Sequence, residues 1–504
     1  MTAEGELVLG LDIGTSSSKA VLARPDGTVV ASAQRAHGLS LPRPGWAEHD
    51  AEAIWWADVL ALCDALVPQA RGALAGVCVS GIGPCVVPCD AALRPLRPAI
   101  LYGIDMRAGA EIDELERRYG PERILERAGS ALSSQALGPK LLWLQRHEPE
   151  VWQRAAGWYM ASSYAVARLT GEYVLDHHSA SQCAPLYDLA AGRWDEAWAA
   201  ETAPGVPLPA LAWPWDPVGT VTPDASRLTG IRAGTPVMAG TIDAWAEALS
   251  VGARRPGDLM LMYGSTMFMI GVLDRPRVHA GLWGTAGATP GSWSLAAGMA
   301  TSGTLTDWVR RLAGEQDFDA LVEEAAAVEP GAHGLLALPY FAGERSPIFD
   351  PRARGVLAGL TLTHQRGHVL RAVYEATALG VRHNIAAYAG AGFDIGRVIA
   401  VGGGTKAPLW TQIVSDVTGL TQQVPGETIG AAYGDALLAA VGAGLASPED
   451  DWATIVGEVK PQPAHEPLYD ELFTLYLELY RATAGVAHRL AALQERAAVL
   501  RAAE

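Results

Sequence analysis

A chain of 504 residues is too long for one ordinary core and fits two domains of roughly 250 residues each. Its 55 acidic against 38 basic side chains leave a formal charge of -17, which argues against nucleic acid or an anionic membrane surface as the main partner. A small phosphorylated ligand stays compatible, because its charge can be met locally, and hydrophobic residues at 49% can fill two globular cores.

The first residues, Met1 to Glu6, are acidic and lack the basic segment of a secretory signal, so a cytoplasmic protein is the simplest placement. An apolar run from residue 7 breaks at Asp12-Ile13-Gly14-Thr15 and resumes beyond Ser16, which predicts two strands around a turn of glycine and hydroxyl residues. Such a turn can cradle a phosphate. Gly14 lets the backbone approach an anion, Thr15 and Ser16 offer hydroxyls, and Asp12 can reach a hydrated magnesium ion. An ordinary hairpin is the competing reading of this segment taken alone. Asp26-Gly27 makes the next turn and residues 28–33 return as a third strand. Residues 50–67 carry an apolar stripe at helical spacing behind an Asp50 cap. Residues 73–79 and 85–89 read as buried strands on either side of Gly81-Ile82-Gly83-Pro84. Cys78, Cys85 and Cys89 lie there without nearby histidines, as core residues rather than metal ligands.

From about 108 to 230 the pattern is more helical, and its tryptophans suit core packing better than stacking platforms. Proline-rich residues 204–223 predict a loop passage. The crossover between domains falls near 245–256, ahead of Pro256-Gly257, and divides the chain into 1–249 and 250–504. The second part opens as the first does, with an apolar run from Asp258 to Tyr263, the turn Gly264-Ser265-Thr266, and another apolar run. Two such turns facing each other across a cleft can hold the phosphates of one nucleotide from both sides. A helical segment, 364–391, precedes the strand 398–401 and the turn Gly402-Gly403-Gly404-Thr405, a geometry that can pack beside a base or ribose. Helical pattern continues past 430, and the tail from Tyr469 to Ala503 spaces Tyr469, Phe473, Tyr476 and Tyr480 as a helix packed on the second domain would.

Taken together, these segments resemble the FGGY family of carbohydrate kinases, within the actin-like ATPase superfamily, over nearly the whole chain. Asp12-Ile13-Gly14-Thr15 is similar to the family's first phosphate turn and Gly264-Ser265-Thr266 to its second. The stretch from Pro339 through Gly343-Glu344-Arg345-Ser346-Pro347 to Glu375 resembles the carboxyl-terminal signature of pentulose kinases, and Gly402-Gly403-Gly404-Thr405 resembles the adenosine-side element. The resemblance implies an α/β fold of two ribonuclease-H-like domains around a deep catalytic cleft, with the sugar on the N-terminal side and the nucleotide on the C-terminal side. It also implies transfer of the terminal phosphoryl group of ATP, with Mg2+ organised at Asp12, to a ketopentose hydroxyl. D-xylulose is the first candidate, and ribulose, another ketose or a small polyol are the alternatives.

Asp243, in Gly240-Thr241-Ile242-Asp243, resembles the family's catalytic base, although read alone it is a helix cap. Tyr102-Gly103-Ile104-Asp105-Met106-Arg107 resembles a sugar-contacting segment in which Asp105 accepts from hydroxyls while Arg107 donates to them or holds Asp105. The alternative there is an internal ion pair that shapes the pocket wall. Lys19 reads as a structural pair, and His177 and His178 need not touch substrate. Gly83 and Pro84 join the wall as candidates, but Pro84 stands where the pentulose kinases resembled carry a sugar-contacting histidine, so the identity of the sugar does not transfer with the resemblance. No nucleic acid or membrane is implied as a partner, and a homodimer is expected from general frequency. A catalytically weak, sugar-responsive binding protein is the reading from another class, opposed by the retention of Asp12 and Asp243.

Overall fold

The computed structural model describes residues 6–502 apart from 72–73, 316 and 427–428. The acidic start at Met1–Gly5, Ala73 at the head of the run 73–79, and Ala503 at the end of the tail lie outside the described residues. The first sheet contains β1 (Leu7–Ile13), β2 (Ser17–Ala23), β3 (Val29–Ala36), β4 (Leu74–Gly81), β5 (Pro217–Thr220), β6 (Pro236–Met238) and the short β7 (Thr241–Ile242). The second contains β8 (Asp258–Tyr263), β9 (Met267–Leu273), β10 (Trp283–Ala286), β11 (Trp293–Met299), β12 (Arg397–Val401), β13 (Gln422–Pro425) and β14 (Ile455–Val459).

The two sheets repeat one topology. In the first, β3-β2-β1 run antiparallel, β4 and β6 follow in parallel, and β5 closes the edge antiparallel. In the second, β11-β9-β8 run antiparallel, β12 and β13 follow in parallel, and β14 closes the edge antiparallel. Both central strands are apolar apart from Asp12 and Asp258: β1 is buried along its whole length and β8 nearly so. That is what a strand covered on both faces requires. In each half the first hairpin turn therefore emerges at the same end of the sheet, beside the end of the adjacent parallel strand.

Seven helices matter to the site: α1 (Ala57–Leu66), α2 (Asp243–Ser250), α3 (Gly303–Leu312), α4 (Arg366–Gly390), α5 (Pro408–Thr418), α6 (Ala431–Gly442) and α7 (Glu466–Ala502). The cap at Asp50 forms as expected, its Oδ1 accepting from the amides of Glu52 and Ala53, but Ala51–Trp56 winds as a wide π-turn before α1 begins. Helix α2 occupies the first half of the stretch read as a crossover, because Trp245, Ala246, Ala248 and Leu249 are buried along one side. The passage 204–223 is not all loop. Ala210–Ala212 pairs with Val174–Asp176, and β5 pairs with β6. The five cysteines are free and buried, and Tyr469 and Tyr476 of α7 are fully enclosed in the core of the second sheet.

Helices α2 and α6 lie between the sheets and share one apolar cluster with Val8 and Val21 of the first and Met260, Ile270 and Ile399 of the second. They approach so closely that a Cβ on Gly434 would stand 1.9 Å from the Ala246 carbonyl oxygen. Gly434→Ala is therefore expected to force the helices apart and destabilise the protein by about 1–3 kcal/mol, measured as a lowered urea midpoint. An unchanged midpoint would mean the contact is soft.

Candidate active site

The first turn hangs from β1 and β2, which place Asp12 opposite Lys19 in register. The Gly14 amide donates to the Ser17 carbonyl at 3.1 Å and closes the turn. Thr15 Oγ1 meets the Tyr102 hydroxyl at 3.0 Å, while Ser16 is exposed and its carbonyl accepts from the His37 amide at 3.0 Å. His37 braces the turn from behind, with Nε2 3.1 Å from the Gly14 carbonyl and Nδ1 2.7 Å from the Asp58 carboxylate of α1. Sequence reasoning did not find that brace, because His37 and Asp58 belong to separate elements.

The second turn is built the same way. The Gly264 amide donates to the Thr266 carbonyl at 3.1 Å, and the carbonyls of Gly264 and Ser265 accept from Gly303 and Ser302 at the start of α3, each at 3.0 Å. Ser265 and Thr266 are left exposed. Gly402 follows β12 with φ at +92°, and a Cβ there would lie 2.5 Å from the Tyr263 carbonyl oxygen, so the glycine-rich turn presses on the residue leading into the second turn. Thr405 Oγ1 donates back to the Gly402 carbonyl at 2.8 Å, Gly404 sits against Trp410 and Tyr263, and Gly403 faces open space.

Between the first two turns is a cavity of about 260 Å³. Asp12, Asp243, Tyr102, Thr266, Gly83 and Arg345 reach it, together with Glu247, Gln135 and Gln182 and an apolar wall that includes Ile242, Trp245, Phe268 and Trp283. Asp243 stands at the start of α2 and accepts from the Ala244 amide at 2.7 Å. Burial lifts its carboxyl to about 6. Glu247, one turn along the same helix, is pushed to about 7 by burial and then by the charge of Asp243, with Lys19 opposing. Asp12 is raised well above the carboxylate range by burial, then by Asp243 and Asp435, again against Lys19, and its Oδ1 has no partner. Asp435 comes from α6 and is raised by burial although Ser80 Oγ donates to it at 2.6 Å.

These carboxyls titrate with opposite consequences for stability and for any proton-accepting role. A folded value above the unfolded one of about 4 means the folded state binds more protons, so the free protein loses stability as pH rises through about 6 for Asp243 and about 7 for Glu247. A base must instead be unprotonated. If Asp243 accepts the proton, kcat/KM is expected to fall with unit slope below about pH 6. Initial rates across buffers would show that limb, and a flat profile there would oppose the role.

Three of the candidate sugar contacts, Pro84, Asp105 and Arg107, do not line the cavity. Asp105 is fully buried and does not line the cavity: its Oδ1 accepts from the Arg107 amide and Nε, and its Oδ2 from the Ala47 amide at 2.7 Å and Arg107 Nη2 at 2.7 Å. Arg107 also pairs with Glu48 at 2.8 Å and lies 3.8 Å over the Trp46 ring, so both residues build the wall and not the cavity surface. Pro84 is likewise buried and outside the cavity lining, where Gly83 alone of the pair appears.

The polar groups that do face the cavity include two the sequence did not single out. Gln135 Oε1 accepts from the Gly103 amide at 3.0 Å, leaving its amide nitrogen as a donor. His178, pushed down to about 3 by burial, is neutral; its Nδ1 donates to the Ala286 carbonyl at 2.8 Å. Its Nε2 then accepts from Gln182 at 2.9 Å, which leaves the Gln182 oxygen as an acceptor. A donor and an acceptor with fixed roles, beside Asp243 and an apolar wall, suit a small polyhydroxylated molecule.

Known proteins carry the same organisation. Residues 7–250 match the N-terminal domain of the FGGY family of carbohydrate kinases and residues 259–443 match its C-terminal domain. A xylulose kinase from Escherichia coli (strain K12) is 31% identical over 474 residues, covering 92% of this chain and 94% of that protein. A glycerol kinase from Nocardia farcinica (strain IFM 10152) is 30% identical over 479 residues, 88% of this chain and 93% of that protein. The crystal structure of a xylulose kinase from Rhodospirillum rubrum superposes with a TM-score of 0.89 at 34% identity, over 96% of this chain and all of that one.

Proposed function

The chain belongs to the FGGY family of carbohydrate kinases, and from that premise we infer that it transfers the terminal phosphoryl group of ATP to D-xylulose, giving D-xylulose 5-phosphate. The observation that carries this reading is the shared cavity: Asp243 opens into the space that Asp12 and Thr266 line, so a hydroxyl beside Asp243 faces both phosphate turns. Asp243 takes the proton of that hydroxyl as its oxygen attacks phosphorus. The turns at Gly14-Thr15-Ser16 and Gly264-Ser265-Thr266 hold the phosphates from either side, and Gly402-Gly403-Gly404-Thr405 receives the adenosine. Gln135 and Gln182 orient the sugar, and the aromatic wall excludes water, a competing acceptor at high concentration.

The residues also fit Mg2+. Asp12 offers a buried, unpartnered Oδ1 among carboxyls that repel one another, and a cation relieves that repulsion. Mg2+ keeps most of its waters and takes only one or two carboxylates, so a single residue such as Asp12 can serve it. When bound, Mg2+ neutralises charge on the phosphate oxygens.

This reading divides the chain into a sugar side, 1–249, and a nucleotide side, 250–504, and includes a cytoplasmic homodimer; no described helix is long and apolar enough to cross a membrane. Its test is a phosphoryl-transfer screen with Mg-ATP across D-xylulose, ribulose, their enantiomers, gluconate, glycerol and erythritol, with each product identified. Turnover of D-xylulose above the others is expected. A different best acceptor would reassign the sugar, and turnover of none would end the reading.

A further inference from the structure

Arg345 places a cation between the two phosphate turns, and nothing described so far uses it. On one side, a Cβ placed on Gly298 would meet Arg345 Nη2 at 2.9 Å and the Phe268 ring at 3.0 Å, so the guanidinium lies beside the strand that leaves Gly264-Ser265-Thr266. Across the same cavity lining is Tyr102, whose hydroxyl is bonded to Thr15 of the first turn. The Trp283 ring flanks the guanidinium at 6.0 Å.

The guanidinium is held beside Glu344 without an ion-pair contact among the described residues. Nη2 donates to the Met299 carbonyl at 2.7 Å, and Nε is buried with no partner among the described residues. The neighbouring Glu344 spends its Oε1 on the amides of Ala300 and Arg345, at 2.7 and 2.8 Å, instead of closing on the guanidinium. A recessed cation with a spare donor, lining the cavity that holds Asp243, is built to receive an anion there.

We propose that Arg345 is a catalytic residue that holds an oxygen of the phosphoryl group while it passes between donor and acceptor. The proposal rests on the kinase reading above. In the step, the acceptor oxygen forms a bond to phosphorus and the bond from phosphorus to the bridging oxygen breaks. Its electron pair leaves on ADP, and the hydroxyl proton passes to Asp243. Arg345 contributes charge and N–H donors aimed at oxygens whose negative charge rearranges along the path. The other anion that could occupy the position is a carboxylate of an acidic sugar.

The test uses Arg345→Ala and Arg345→Gln, the second retaining the stem and an uncharged amide donor should the first fail to fold. With a neutral sugar that the wild type phosphorylates, kcat is expected to fall by about 10³-fold while sugar affinity, titrated by tryptophan fluorescence without nucleotide, changes by less than about threefold. Added guanidinium is expected to restore about tenfold of the loss in Arg345→Ala. Independently of turnover, ADP with magnesium and aluminium fluoride mimics the group in transit, and its tighter binding relative to ADP alone is expected to vanish in both variants. The proposal is overturned by a near-wild-type kcat, by sugar affinity falling as far as kcat, by a defect confined to gluconate, or by an unchanged gain from aluminium fluoride. A wild type inert toward every sugar fails the kinase reading instead, and the fluoride comparison still decides Arg345.

Discussion

Exchanging Asp243 for Asn is expected to lower kcat by about 10²- to 10⁴-fold, with the sugar and ATP bound nearly as before. The exchange is close to isosteric, and the Asn carbonyl oxygen can still accept from the Ala244 amide, the contact that Asp243 Oδ1 makes at 2.7 Å. What disappears is the proton acceptor. Glu247 complicates the outcome in an informative way, because it lies one turn along α2, lines the same cavity and titrates near 7. A residual rate in Asp243→Asn that disappears in Asp243→Asn with Glu247→Gln would identify Glu247 as the stand-in base. Steady-state kinetics with the sugar phosphate quantified directly, and sugar-independent ATP hydrolysis measured alongside, would separate lost transfer from leakage to water. A wild-type rate in Asp243→Asn would remove Asp243 from the chemistry.

The parts of the site that a reader of the sequence can find are those written in consecutive residues. Asp12 through Ser16 and Gly264 through Thr266 announce themselves because a phosphate turn is local: glycine for the approach, hydroxyls for donors, flanking apolar runs for the strands. The matching order of the two sheets then follows from repeating that hairpin. Glu247 was within reach, since its spacing of four from Asp243 puts both on one helical face. Gln135 and Gln182 were not, because each is a single polar residue whose role is set by what the fold brings opposite it, and Arg345 stood in the signature stretch with no role assigned to it. Asp435 depends on a still longer connection, the seating of α6 from the second half against β1, β2 and β4 of the first. No periodicity within residues 431–440 encodes that partner.

Removing the Asp105 carboxylate should unfold the wall before it alters sugar recognition, and Asp105→Ala is expected to destabilise the protein by about 3–5 kcal/mol. The motif's resemblance to a sugar contact and the observed geometry lead to different experiments. A carboxylate that accepts from sugar hydroxyls would, when deleted, raise KM and leave the fold intact. Asp105 instead receives the Ala47 amide and the Arg107 side chain, and Arg107 extends the pairing to Glu48. Deleting the Asp105 carboxylate leaves the buried Arg107 guanidinium with Glu48 as its remaining acidic partner, against the Trp46 ring. Urea unfolding of Asp105→Ala, Arg107→Met and the double variant would measure the pairing, and the double is expected to lose less than the sum of the singles because it leaves no orphaned charge. Additive losses, or a stable Asp105→Ala with a raised KM, would return Asp105 to the sugar. The pairing also reaches the cavity: Tyr102 and Gly103 precede Asp105, and the Asp105 amide donates to the Tyr102 carbonyl at 2.8 Å. An ion pair hidden behind the cavity thereby positions the tyrosine that bonds the first phosphate turn.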